Sequence, residues 1–317
     1  MAEKVYMELN QLLTTLSSRG MVIKKGHQSA RVLHSLEMEN YYNVINGYKE
    51  LFISSPATAT DDEVYKAGTT FDEVYSLYSF DRDLRNIYLR YLLKIENSIK
   101  SVISHEFSKL YGHKNFLRTE NFDSADTAGV IKLIGDIHQE IARQMGKKHQ
   151  VITHYMTEHG YIPLWVLVNV LTFGKITMFY TYMKETDRIT VAHKFHVAPD
   201  ELRKYMVILG LARNKCAHDE RFYDFRSRNN IHTKSIKNFG VLALPKDAAG
   251  NYEYGLNDCF SVAIIISRLL SRADTKELVR EMSALFAKLD KSLHTICIDD
   301  VMRIMGYPKS WTNLTSL

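Results

Sequence analysis

The chain has 317 residues, with five Pro and 15 Gly, where average usage gives roughly 16 and 22; so few helix breakers exclude a β-sandwich or barrel and favour helices. With 45% hydrophobic and 24% charged residues it has the balance of a globular chain, long enough for one large domain or two ordinary ones. A net charge of +5 permits an anionic partner without demanding one.

In chain order, segments 1–18 and 37–53 are plausible helices. Pro56 lies in a polar loop, SSPATATDD. From Leu84, apolar residues recur in steps of three and four through Leu110, which predicts one long amphipathic helix. Segment 127–146 reads as a helix. Leu164–Met183, just after Pro163, reads as a second and more buried one. Pro199-Asp200-Glu201 opens a third, with its proline at the first helical position and two carboxylates in the first turn. The stretch Arg226–Asn257 is polar and reads as a long excursion, with a short hairpin around Val241–Leu244 and Tyr252–Tyr254. Asp258–Leu270 and Lys276–Leu293 complete the helices, and Pro308 follows Gly306 near the end. Trp165, Phe173 and Trp311 read as core.

Three scattered cysteines, Cys216, Cys259 and Cys297, provide neither a disulfide framework nor a CxxC zinc site, and reduced thiols in a cytoplasmic protein fit them. The N-terminus MAEKVYMELNQLL lacks the apolar run of a signal peptide, and no stretch has the length of a membrane span. Nucleotide-loop, dinucleotide, serine-hydrolase and HExxH motifs are absent. Thirteen histidines are dispersed, with only His154/His159 and His193/His196 close together, and they read as surface or packing residues; no metal and no cofactor is expected.

Chemistry concentrates in Leu211–Phe225, LARNKCAHDERFYDF, where Arg213, Asn214 and His218 form R-N-x-x-x-H within a predicted helix. An arginine holds a phosphate by paired hydrogen bonds and stabilises developing charge. A histidine moves protons near neutral pH. Together they suit metal-free RNA cleavage by attack of the 2′-OH on the adjacent phosphorus. The spacing alone decides little, since Arg143/His149, Arg188/His193 and Arg226/His232 also match it. Arg213 lies about 40° from Leu209 on the apolar face, so it needs either an anionic ligand or an internal ion pair, for which Glu96 is placed. His218 lies about 140° further round an ideal helix. Either the helix deforms, the arginine reaches around, or two copies build a shared site as a homodimer.

From Arg203 to Gly240 there are nine Lys/Arg against three acids, a local +6 that leaves the remainder near neutral. Lys215, Arg221, Arg226, Arg228, Lys234 and Lys237 are therefore candidate RNA-binding residues. The alternative is a solvated basic loop.

Four stretches carry a family resemblance: Gly68-Thr-Thr-Phe71 through Phe80-Asp81-Arg82-Asp83-Leu84-Arg85 to Ile95-Glu96; Pro163-Leu-Trp165 with Leu171-Thr-Phe173-Gly174; Leu211–His218 with Arg221-Phe222-Tyr223; and Met305-Gly306-Tyr-Pro308 with Trp311. In this order, over about residues 20–315, the chain resembles the AbiD/AbiF-like abortive-infection proteins of the HEPN superfamily. The resemblance implies an all-α HEPN-type helical bundle (71–317) with an N-terminal helical extension (1–70) and a polar insertion before the C-terminal helices. It implies a metal-independent endoribonuclease in anti-phage defence, active across a homodimer and held in check by a small structured RNA as in a toxin–antitoxin pair. Arg213 and His218 would then be catalytic, Asn214 the accompanying polar residue and Glu96 a supporting acid; Asn169 stands where relatives often carry an acid. A non-catalytic RNA-binding module of the same fold is the alternative.

Overall fold

The computed structural model describes residues 6–24 and 26–317. Its organising element is a 41-residue helix. Before it come α1 (Leu9–Ser18) and α2 (His27–Met38), a π-helical turn at Tyr42–Asn46, a 3-10 turn at Lys49–Phe52, and two short antiparallel strands, β1 (Ile53–Ser55) and β2 (Val64–Tyr65), that bracket the Pro56 loop. The long helix α3 (Phe71–Tyr111) is capped by the Thr70 hydroxyl, which accepts from the Glu73 N–H, and ends at Gly112 with φ +78°. It is followed by α4 (Thr127–Gly146), α5 (Gln150–His154) with a π-helical turn over Tyr155–His159, and α6 (Leu164–Leu167). Then come α7 (Phe173–Tyr182), α8 (Glu185–His193), α9 (Pro199–Ala217), α10 (Cys259–Leu269), α11 (Arg272–Asp290) and α12 (Ile298–Ile304). Among the described residues the molecule is all-α apart from one small ribbon. No helix among the described residues is long and apolar enough to cross a membrane.

The apolar stripe of α3 explains its position: α6, α8, α9, α10 and α11 all pack on it, and one hydrophobic core runs from Leu16 to Leu314. Four carboxylates buried on α3 have partners elsewhere, as burial requires. Glu73 accepts from the His294 and Thr295 N–H groups at 2.7 Å each. Asp81 accepts from the segment after α9, Glu96 pairs with Arg213 on α9, and Glu106 pairs with Lys194 at 3.4 Å. The helix is a spine to which distant segments are fastened in register.

Several expectations are corrected. The long helix begins 13 residues before Leu84, at Phe71. Segment 127–146 is α4 end to end. Of segment 1–18, residues 1–5 lie outside the described residues and the helix spans Leu9–Ser18. In place of a helix over 37–53 there are α2, a π turn and a 3-10 turn. Leu164–Met183 is broken into α6 and α7: the Asn169 side chain donates to the Trp165 and Val166 carbonyls at 3.2 and 3.3 Å, closing α6. The extended Thr172 then caps α7 by accepting from the Lys175 N–H. Trp165 is not core; it is 48% exposed, whereas Phe173 and Trp311 are buried. The excursion 226–257 has no hairpin at the expected strands, only a Lys246–Tyr252 bridge and a 3-10 turn at Phe239–Leu242.

Candidate active site

Arg213 stands in the last turns of α9, half-buried, and its Nε donates to Glu96 Oε2 at 3.2 Å. The other Glu96 oxygen pairs with Lys100 Nζ at 2.8 Å, one helical turn along α3. The anionic partner expected for an arginine on this face is therefore Glu96, itself 4% exposed. Only one edge of the guanidinium is used. Its terminal nitrogens have no hydrogen-bond acceptor among the described residues.

Arg213 lines a cleft of about 680 Å³ whose walls also include Glu96, Lys100, Asn169, Asn214 and His218. The rotation of an ideal helix had set His218 far from Arg213, yet both line this one cleft. His218 is where α9 ends: it is the C-cap residue, with φ −101° and ψ 15°, and it is exposed. The cleft also takes in Thr172, Phe173 and Gly174 at the N-terminus of α7. No acceptor is seen for the Phe173 and Gly174 N–H groups among the described residues, as at any first helical turn. Two cations against one carboxylate, beside the positive end of a helix dipole, favour an anion in this space.

The turn carrying His218 is fastened from below. Asp219 takes the left-handed conformation, φ +57°, and the Glu220 N–H returns to the Lys215 carbonyl at 3.0 Å, a Schellman-type closure. The Asp219 carboxylate accepts from Arg85, whose other terminal nitrogen donates to Asp81 Oδ2 at 2.7 Å. Asp81, fully buried, also accepts from the Tyr48 hydroxyl at 2.5 Å, the Phe222 N–H at 3.0 Å and the Tyr223 N–H at 2.7 Å. Burial pushes its carboxyl above the usual range, against the pull of Tyr48, Arg85 and the two backbone donors. Burial likewise opposes the charge on Arg85, but Asp81, Tyr48 and Asp219 outweigh it and raise its pKa.

The residues expected to bind RNA divide in two. Lys215 pairs with Glu220 at 3.2 Å, Arg221 with Asp224 at 2.7 Å, and Arg226 donates to the Phe225 and Ile304 carbonyls at 2.8 Å each. These three are engaged in holding local structure. Arg228, Lys234 and Lys237 are exposed, with no ion pair seen among the described residues. Of the six, none lines the cleft. Lys100, Asp81, Arg85 and Asp219 went unassigned in the sequence; for Lys100 and Arg85 the available signal was an acid four residues earlier on one helix.

A family model described as Abi-like protein matches residues 34–224, a span holding every residue of this cleft and of the turn beneath it. No curated protein and no solved structure matches the chain.

Proposed function

Since the chain belongs to the Abi-like protein family, we propose that it acts in abortive infection against phage as an HEPN-type endoribonuclease that needs no metal. The observation that carries this reading is that Arg213, with its terminal nitrogens free, and His218 open onto one positively biased cleft. A phosphodiester seated there receives paired hydrogen bonds from the guanidinium on its non-bridging oxygens. Glu96 holds the arginine by its other edge and fixes the direction in which it points. As the 2′-oxygen attacks phosphorus, His218 exchanges the proton of the attacking or leaving oxygen, and Arg213 meets the negative charge that builds up on the non-bridging phosphoryl oxygens. The products are a 2′,3′-cyclic phosphate and a free 5′-hydroxyl.

One His218 supplies one proton-transfer group, and a second copy supplies the other. The outer face of α9 supports such a homodimer: Val207, Leu211, Asn214 and His218 follow one another at helical spacing on one side, and Leu211 is 46% exposed. The exposed Arg228, Lys234 and Lys237 offer a basic surface for a restraining structured RNA. The Arg213–Glu96 pair is also what a purely structural arginine would show, and it favours a second reading, a module that binds RNA without cutting it.

Induced expression separates the two. Wild-type protein should arrest growth, and Arg213→Ala and His218→Ala should each abolish the arrest while accumulating as folded protein. Arrest by both variants would remove the catalytic reading.

A further inference from the structure

A second cleft, of about 540 Å³, lies on the other side of α6 and has no part in the site above. Its rim is unusual in composition. Arg118 and Tyr161 line the cleft, and next to them stand His113 and Lys114 of the loop after α3 and His154, Tyr155 and His159 at the end of α5 and its π-helical turn. The rings form a connected series. Tyr161 is 5.6 Å from His113 and 6.1 Å from His159, centroid to centroid, and His159 is 5.4 Å from Tyr155 and 5.6 Å from His154. Lys114 Nζ stands 4.7 Å from the centre of the Tyr161 ring. His113, Lys114, His154 and His159 are exposed, so the rings are not core.

Two further features set this place apart from an ordinary surface. The five residues Tyr155–His159 form a π-helical turn, a distortion that costs hydrogen-bond geometry and recurs at functional sites. Charge also leans one way. Segment 109–120 has three Lys/Arg and one acid, and segment 140–161 has three Lys/Arg and two acids, with four histidines across the two; Arg118 and Arg143 pair with Glu120 and Glu140, whereas Lys109, Lys114, Lys147 and Lys148 show no ion pair among the described residues. The rings meet tilted or edge-on, and together with Lys114 they form an exposed aromatic and basic surface beside the cleft, of the kind unpaired bases and their phosphates use. Histidine and tyrosine rings stack without regard to sequence, and the cations follow the backbone.

We propose that this groove is a stacking platform for single-stranded RNA, leading the strand toward the Arg213–His218 cleft. It rests on RNA being the partner of that cleft. The connection is short: Leu167, the last residue of α6, lines this groove, and Asn169, two residues on, lines the other cleft. The basic segment after α9 points to charge alone; the platform adds selectivity for unpaired strands.

The test uses the full-length protein and a fluorescent, unstructured strand of about 12 nucleotides with 2′-O-methyl riboses, which cannot be cut. Tyr161→Ala and His159→Ala should each raise Kd about tenfold, and Tyr161→Phe should stay within about twofold. Lys114→Glu should weaken binding and lessen its salt dependence. A duplex of the same sequence should bind equally to wild type and Tyr161→Ala. Unchanged affinity in the exposed-site variants His159→Ala and Lys114→Glu, or an equal loss for duplex, overturns the platform. Cleavage of unmodified RNA is scored separately. If it persists and depends on Arg213 while these affinities do not move, the platform fails and the ribonuclease stands; if affinities move in a protein that cuts nothing, the platform stands and the ribonuclease fails.

Discussion

Glu96 holds Arg213 by the guanidinium Nε, at 3.2 Å, and both residues line the cleft that His218 also borders. One contact thus settles the burial cost of an arginine on an apolar face and leaves the terminal nitrogens available for the proposed phosphate. The arrangement makes Glu96 a positioning residue. Glu96→Gln keeps an acceptor for Arg213 and should fold normally while lowering the cleavage rate about tenfold through a less fixed guanidinium. Glu96→Ala strands two partly buried cations, Arg213 and Lys100, and should cost about 2–4 kcal/mol of stability. Denaturant melts and initial cleavage rates on both variants check this. Equal loss of stability in both would contradict the positioning role.

The turn bearing His218 makes a second prediction. Asp219 is largely exposed, yet it reaches Arg85, which is buried and held by Asp81. Because Arg85 keeps Asp81, Asp219→Ala should change stability by under about 1 kcal/mol. It should still lower cleavage about tenfold by releasing the turn. Asp219→Asn, which tolerates the left-handed backbone and keeps an acceptor, should recover most of the rate. An Asp219→Ala protein as active as wild type would show that the anchor does not serve His218.

Gly306 illustrates a structural constraint far from the cleft. Its φ is +81°, and a Cβ there would fall 2.0 Å from Asp258 Oδ2, the carboxylate that caps α10. The same turn carries Tyr307, whose hydroxyl hydrogen-bonds the Tyr88 hydroxyl on α3. Gly306→Ala should therefore cost about 2–4 kcal/mol, seen as a lower denaturant midpoint with little change in slope. A midpoint equal to wild type would contradict the close approach.

The three thiols differ in reactivity for a physical reason. Burial pushes the Cys216 thiol up to about 12 and raises Cys259 well above its ordinary value, whereas Cys297 is exposed. Because only the thiolate attacks, native protein at pH 8 should release one rapid equivalent from a disulfide-exchange reagent, and three after unfolding. Mapping the label to Cys216 or Cys259 in native protein would contradict the burial.

Helices with long, regular stripes were legible in the sequence: α3 and α9 announce themselves by spacing and by Pro199. The break between α6 and α7 was not, because it depends on two side chains, Asn169 and Thr172, that turn back on the backbone within an otherwise apolar run. In the same way, Trp165 looked like core until that break placed it outside. At the site, the position of Arg213 on its helix called for either an anionic ligand or an ion pair with a candidate such as Glu96, and the ion pair is present. The Arg85–Asp219 anchor was not readable: both ends lie in stretches the sequence singles out, but nothing in their spacing pairs residues 134 apart when Asp219 belongs to the turn beyond the helix.

The ends of any RNA fragments this protein produces test the proposed ribonuclease most directly. Purified wild-type protein incubated with single-stranded RNA in EDTA should yield fragments with 2′,3′-cyclic phosphate and 5′-hydroxyl termini, and neither Arg213→Ala nor His218→Ala should yield any. Intact RNA with the wild type under every condition, or 5′-phosphate fragments that vanish in EDTA, would contradict it.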